Sequence, residues 1–321
     1  MKLWEHMRRL WPRFTLAPVA PFWVWSVFWV IRGQLRWDHV AAAFLASLLA
    51  YGNATSRRLF IGLLPVGLVG LFYDAMRFVK NVGLSTSNVH LCDLRDAELR
   101  WFGLDDGGVR VTLHDWFQPR ATMLLDVVCA VPYGIFLMVV VGYAIFLFIR
   151  DFPAEQRFAW GFLALNIAGF ATYHLYPAAP PWYFHQHGCT VDLGAASRAG
   201  PNLLRVDNLM GIHYFAGFYG RSSDVFGAVP SLHVAYPLLM ITEGWRKHKT
   251  FGRALLALFY IWMCFAAVYL DHHWVIDIVL GSLYAVVIAV ASRHVMRWDR
   301  AQSSATNGAP IVSRKAAPER G

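Results

Sequence analysis

Six strongly apolar runs, at about 59–76, 122–149, 157–176, 230–245, 253–271 and 273–293, leave this chain few ways to fold. Most approach the roughly 20 residues that cross a bilayer as a helix. In hydrocarbon every backbone N–H and C=O must be satisfied within the segment, and helices do that. The expected fold class is all-α, an integral membrane helical bundle of six core transmembrane helices. Two shorter apolar segments, about 16–31 and 38–52, precede them and could be tilted, re-entrant or interfacial. Being a pair, they leave the orientation downstream unchanged. Only 15% of residues are charged, against about 25% in soluble domains. The basic N-terminus (MKLWEHMRRLWPRF) leads into an apolar stretch with no small-residue cleavage site, so no cleavable signal peptide is expected.

A formal charge of +9 raises the question of a nucleic-acid partner, which its distribution answers. With a cytoplasmic N-terminus, the inside segments (1–16, about 53–58, 150–157, 245–253 and the tail from Arg293) hold 18 of the 29 Lys and Arg. The longer outside segments, around 32–38, 77–121 and 177–229, hold the other 11. That asymmetry follows the positive-inside rule, so the basic charge is an orientation signal and no nucleic-acid patch is expected. The same topology starts the helices of His233 and His273 at one outer face, although the count made no use of the histidines.

Three regions are expected along the chain: a basic segment with two short spans (1–58), a membrane-embedded core (59–293) and a polar, disordered cytoplasmic tail (294–321). Part of 77–121 should be an amphipathic helix on the outer surface, with a turn at Gly107–Gly108. The segment 177–229 is too long for a linker and leads into His233, so it should form a lid. Cys129 and Cys264 fall in apolar runs as packing residues. Cys92 and Cys189 both fall outside; they either pair in an oxidising compartment or are two unrelated thiols.

Chemistry concentrates in two stretches, FGAVPSLHVAYPLL and YLDHHWVIDIVLG. His273 and Asp277, four apart on a helix, share one face. A carboxylate there can accept the imidazole Nδ1–H and leave Nε2 free to attack an electrophile. His272 is five residues from Asp277 and points elsewhere. In PSLH, Pro230 and Ser231 stand at a helix start, where free N–H groups favour a bound phosphate. His233 would then be the general acid beside a phosphohistidine. Positive charge for a pentacoordinate phosphoryl group could come from Arg77, Lys80, Arg120 or Arg221.

PSLH followed by HHWVIDIVLG resembles the second and third motifs of the type 2 phosphatidic acid phosphatase superfamily. YPAAPPWY (Tyr176–Tyr183) and, more loosely, YDAMR (Tyr73–Arg77) bring it nearer to the inositol phosphorylceramide synthase-like branch. The resemblance covers about 59–293. It implies a six-helix core with His273 as nucleophile, Asp277 as its orienting partner, His233 as acid and base, and neither metal nor cofactor. The phosphatases carry an Arg where this chain has Ala267, and their first motif is not recognisable here. That departure favours transfer over hydrolysis.

Other residues carry weaker signals. Trp182 and Tyr183 could shape the lipid's way in, although interfacial aromatics also serve as anchors. His174, Asn166 and Glu243 are read as helix–helix hydrogen-bonding groups. Asp126 is expected to pair with an arginine, and His185 and His187 to be solvated. The expected partners are a phospholipid donor and a lipid acceptor such as ceramide, both reaching the site from the bilayer. The alternative is a lipid phosphatase using water. The site is expected on the non-cytoplasmic face: the periplasmic side of the inner membrane in a bacterium, a lumen or the exterior in a eukaryote.

Overall fold

The apolar runs fold as helices, and their polar flanks supply the stops. The computed structural model describes residues 2–307 apart from Ala196, Ser222 and Ser223, with side chains described through Val295. From the N-terminus run α1 (Lys2–Leu10), α2 (Ala20–Ile31), α3 (Trp37–Tyr51) and α4 (Ala54–Val79). Then come α5 (Cys92–Phe102), a hairpin of β1 (Leu104–Asp106) and β2 (Val109–Val111), α6 (Leu113–Phe117), α7 (Met123–Arg150) and α8 (Phe152–Leu175). The last third holds α9 (Pro181–His187), α10 (Pro201–Met210), α11 (Tyr214–Tyr219), α12 (Leu232–Gly244), α13 (Thr250–Tyr269) and α14 (Val275–Asn307). The all-α expectation holds, with one small hairpin whose turn is at Gly107–Gly108, both at positive φ.

Side-chain caps start the long helices. Asn53 accepts from the N–H groups of Thr55 and Ser56 before α4. Thr122 accepts from Leu125 at α7, and Asp151 from Ala154 at α8. Each satisfies donors that a helix start otherwise leaves orphaned.

Among the described residues, four helices are long and apolar enough to cross a membrane: α4, α7, α13 and α14 as far as Val295. The other two expected spans differ in kind. At 13 residues, α12 extends about 20 Å, short of the hydrocarbon thickness. It packs among α7, α8, α13 and α14, so protein rather than lipid surrounds it. Although α8 has 24 residues, it is buried along much of its length and carries Asn166, whose amide oxygen accepts the Tyr236 hydroxyl of α12 at 2.7 Å. Helix–helix bonding by Asn166 and Glu243 agrees with expectation; Glu243 pairs with Arg157 at 3.2 Å. His174 is exposed near the end of α8.

The pair α2–α3 packs on α4 around a separate apolar cluster that includes Phe22, Ala43, Ala46 and Phe60. At the other end of the chain, α14 continues to Asn307, past the point where the sequence predicts a polar tail. Residues 308–321 of that tail lie outside the described residues.

Candidate active site

His233 at the start of α12 and His273 just before α14 meet at one end of the bundle. His233 Nδ1 lies 3.2 Å from His273 Nε2. The approach depends on α12 and α14 touching: the Ser231 N–H donates to the Asp277 carbonyl at 2.9 Å. A Cβ on Gly281 would collide with the Ser231 carbonyl, so only glycine permits this spacing.

The orientation of His273 is not quite the one its spacing predicts. Its Nδ1 lies 3.0 Å from the Ala228 carbonyl oxygen, whereas the nearest Asp277 oxygen is 3.5 Å away. Asp277 Oδ2 accepts instead from the Trp274 N–H at 2.9 Å, and the carboxylate is fully buried. A carbonyl only accepts, so Nδ1 carries the proton and Nε2 presents a lone pair. His233 Nδ1 must then donate to His273 Nε2, which leaves His233 Nε2 to accept from the Tyr219 hydroxyl at 3.4 Å. Tyr133 stacks on the His233 ring, centroids 4.6 Å apart, and holds its plane.

Ala228 is held by the motif around Tyr176–Tyr183. Ala178 N–H donates to Phe226 O at 2.7 Å, Ala228 N–H to Ala178 O at 3.1 Å, and Ala179 N–H to His90 O at 2.9 Å. Three stretches distant in sequence thus lie side by side. The same motif grips the turn before α14: Trp274 Nε1 donates to Ala179 O at 2.9 Å, and Trp182 N–H to Asp271 O at 3.0 Å. Its aromatics build this frame. Tyr183 is fully buried against Trp182 and Phe226, with its hydroxyl on Asp192 N–H at 2.7 Å. Its expected place at the lipid's way in is corrected accordingly.

The lid is tied down by charge. Asp271 bonds His185 Nδ1 at 2.6 Å and lies 3.2 Å from His114 Nδ1. His185 Nε2 also meets Asp115 at 3.1 Å. His185 is therefore not simply solvated, as expected; its side chain is 24% exposed and doubly bonded. Burial lowers its pKa, but the hydrogen bonds from Asp115 and Asp271 prevail and raise it to about 9. Burial would raise Asp271, yet His114 and His185 hold it below the usual carboxylate range. Glu98 of α5 is pushed up by burial while accepting from the Val275 and Ile276 N–H groups at the start of α14. A disulfide joins Cys92 to Cys189, which settles the two open readings in favour of pairing. His272 faces the lid, accepting from Gly200 N–H at 3.2 Å, and burial pushes it down to about 3.

A cavity of about 750 Å³ opens onto both His233 and His273. Of the expected cations, Arg77 and Arg221 line it. Lys80 is not among the lining residues, and Arg120 sits on the surface hairpin in an ion pair with Asp106 at 3.0 Å. Ser231 is buried beneath the site, and its hydroxyl makes no hydrogen bond among the described residues. Asp126 does pair with an arginine, Arg205, at 2.7 and 2.9 Å.

Several participants escaped the sequence reading. Tyr219 and Tyr133 are ordinary aromatics in sequence, and Ala228 acts through its backbone. Asp74 was within reach, since it lies inside the YDAMR stretch. It is buried and takes Arg36 at 2.9 Å, Arg77 at 2.8 Å and the indole N–H groups of Trp25 and Trp29.

The family model described as PAP2 superfamily matches residues 106–291. The chain is 32% identical to the phosphoinositol dihydroceramide synthase of Bacteroides thetaiotaomicron, over 79% of this chain and 83% of that protein. It is 26% identical to the inositol phosphorylceramide synthase catalytic subunit of Schizosaccharomyces pombe and 30% identical to that of Saccharomyces cerevisiae. Each of these alignments covers 55% of this chain and 44% of the relative. No solved structure matches the chain.

Proposed function

The chain belongs to the PAP2 superfamily, and we propose that it is a membrane-embedded phosphotransferase moving a phosphoinositol-type head group from a phospholipid to a lipid alcohol such as ceramide. The observation that carries this reading is the 3.2 Å approach of His233 Nδ1 to His273 Nε2 on the wall of a large cavity. In the first half-reaction, His273 Nε2 attacks phosphorus and the P–O bond to diacylglycerol breaks. The His233 Nδ1 proton goes to the departing alkoxide. A phosphohistidine then carries the head group, and the buried Asp277 carboxylate offsets the positive charge on the ring. In the second half-reaction His233 takes the proton of the acceptor hydroxyl, whose oxygen attacks phosphorus, and the N–P bond breaks.

Hydrolysis by the same residues is the alternative, and the synthase names of the relatives favour transfer. The site is assigned to the non-cytoplasmic face of the membrane, the periplasmic side in a bacterium. Two features support this: the Cys92–Cys189 disulfide in the cap above the histidines, since such bonds persist in oxidising compartments, and the excess of Lys and Arg in the opposite segments.

The test is to incubate purified protein in nanodiscs with head-group-labelled phosphatidylinositol, with and without ceramide. Transfer predicts a labelled inositol-phosphate sphingolipid and one diacylglycerol per turnover, only with ceramide present. Release of water-soluble inositol phosphate with no labelled sphingolipid would overturn it.

A further inference from the structure

The cavity beside the histidines has one wall that the catalytic chemistry leaves unused, contributed by the N-terminal end of α3 and the outer end of α4. There Arg36 and Asp38 form a two-pronged pair, Nε to Oδ1 at 3.0 Å and Nη2 to Oδ2 at 2.8 Å, and both residues line the cavity. The pair cannot swing freely. Arg36 Nη1 is anchored on Asp74 at 2.9 Å, and Asp74 also receives Trp25 at 3.0 Å, Trp29 at 2.9 Å and His39 at 3.2 Å. Arg77 Nε lies 2.8 Å from the same carboxylate, its Nη2 lies 3.5 Å from the Arg221 carbonyl oxygen, and the residue lines the cavity.

We propose that this wall is the head-group subsite, with Arg77 on the phosphate and the Arg36–Asp38 pair on the hydroxyls of a polyol. The inference rests on the reading that the cavity holds a phospholipid donor, and names which donor it selects. A hydroxyl both donates and accepts; a guanidinium beside a carboxylate offers donors and acceptors in one plane, so vicinal hydroxyls can bond both. The two side chains keep 31% and 41% of their surface exposed, so such bonds need no rearrangement. A quaternary ammonium head group has no N–H or O–H to give and would leave the pair unmatched, a cost that sites built for hydroxyls impose on analogues lacking them. Arg77 suits the phosphate because a guanidinium matches two of its oxygens at once. The α2–α3 pair is thereby part of the enzyme's specificity, although the sequence sets it outside the core.

The experiment compares wild type, Asp38→Asn and Arg77→Gln in nanodiscs. It measures the KM for phosphatidylinositol and for ceramide, and the equilibrium binding of glycerophosphoinositol and glycerophosphocholine without turnover. Asp38→Asn should raise the KM for phosphatidylinositol on the order of 10–100-fold, the worth of one charged hydrogen bond. It should weaken glycerophosphoinositol binding in parallel and leave the ceramide KM and glycerophosphocholine binding alone. Asp38 is a half-exposed residue in the first turn of α3, so the amide should be tolerated; a matching melting temperature checks that. If wild type transfers phosphoinositol but Asp38→Asn keeps the same donor KM, the subsite is wrong and the reaction stands. If wild type transfers none yet binds glycerophosphoinositol in an Asp38-dependent way, the reaction is wrong and the subsite stands.

Discussion

His273 Nδ1 is 3.0 Å from the Ala228 carbonyl and 3.5 Å from the Asp277 carboxylate. Tautomer and charge compensation are thus divided between two groups. His273→Ala should reduce turnover to background. Asp277→Asn should keep the tautomer and lose only the charge, leaving activity lower by on the order of 10²–10⁴-fold but measurable. A single-turnover assay for acid-labile phosphohistidine separates the two: the label should be absent in His273→Ala and slow to form in Asp277→Asn. Equal loss of label in both would return the orienting role to Asp277.

His233 contacts His273 on one nitrogen and Tyr219 on the other. His233→Ala should cost on the order of 10²–10⁴-fold in kcat, whereas Tyr219→Phe, losing one 3.4 Å contact, should cost less than about tenfold. Comparable defects in the two variants would make Tyr219 a direct participant in proton transfer.

Gly281→Ala should impair catalysis without altering any polar side chain. The new methyl meets the Ser231 backbone, so α12 and α14 must part and the two imidazoles with them. Gly142→Ala in α7, where an added Cβ meets nothing within 4 Å, is the control and should retain wild-type kcat.

The bonds of His185 make the lid sensitive to alkali. Its pKa is raised on folding from 6.5 to about 9, so its contribution is complete below 6.5 and is lost as pH climbs through 9. Asp271 and Asp115 are both lowered, so their contributions appear above the ordinary carboxylate range near 4 and disappear in acid. Lid stability should therefore peak between these limits. Protease nicking of 177–229 across pH measures it, and in His185→Gln the alkaline rise in nicking should vanish.

Cys92 and Cys189 lie 97 residues apart in sequence, and such a link typically adds about 2–4 kcal/mol. Cys92→Ser should keep the bundle inserted while making the lid cleavable at a lower temperature. Thiol-reactive probes that cannot cross membranes should label Cys189 in that variant only. An inaccessible Cys189 would place the cap on the opposite face.

The sequence exposed what depends on period and spacing. Apolar runs predict helices, and the four-residue step from His273 to Asp277 predicts their proximity, although His273 lies just before α14 and its Nδ1 bonds the Ala228 carbonyl instead. It was less informative where protein replaces lipid as solvent: α12 is shorter than a span because α7, α8, α13 and α14 enclose it. It was silent where the backbone acts, since Ala178 and Ala228 look like filler until their amides are seen paired. His185 misled because its partners Asp115 and Asp271 come from segments 70 and 86 residues away.

The acceptor that fixes the His273 ring belongs to an alanine. Alanine scanning would pass over position 228 and score it as indifferent, and most substitutions there would keep the peptide oxygen in place. What should disturb it is a change in chain length: one residue added between 176 and 179 would slip the ladder by a step and point a different carbonyl at His273. Insertions in this rim should therefore be more damaging than any single replacement within it.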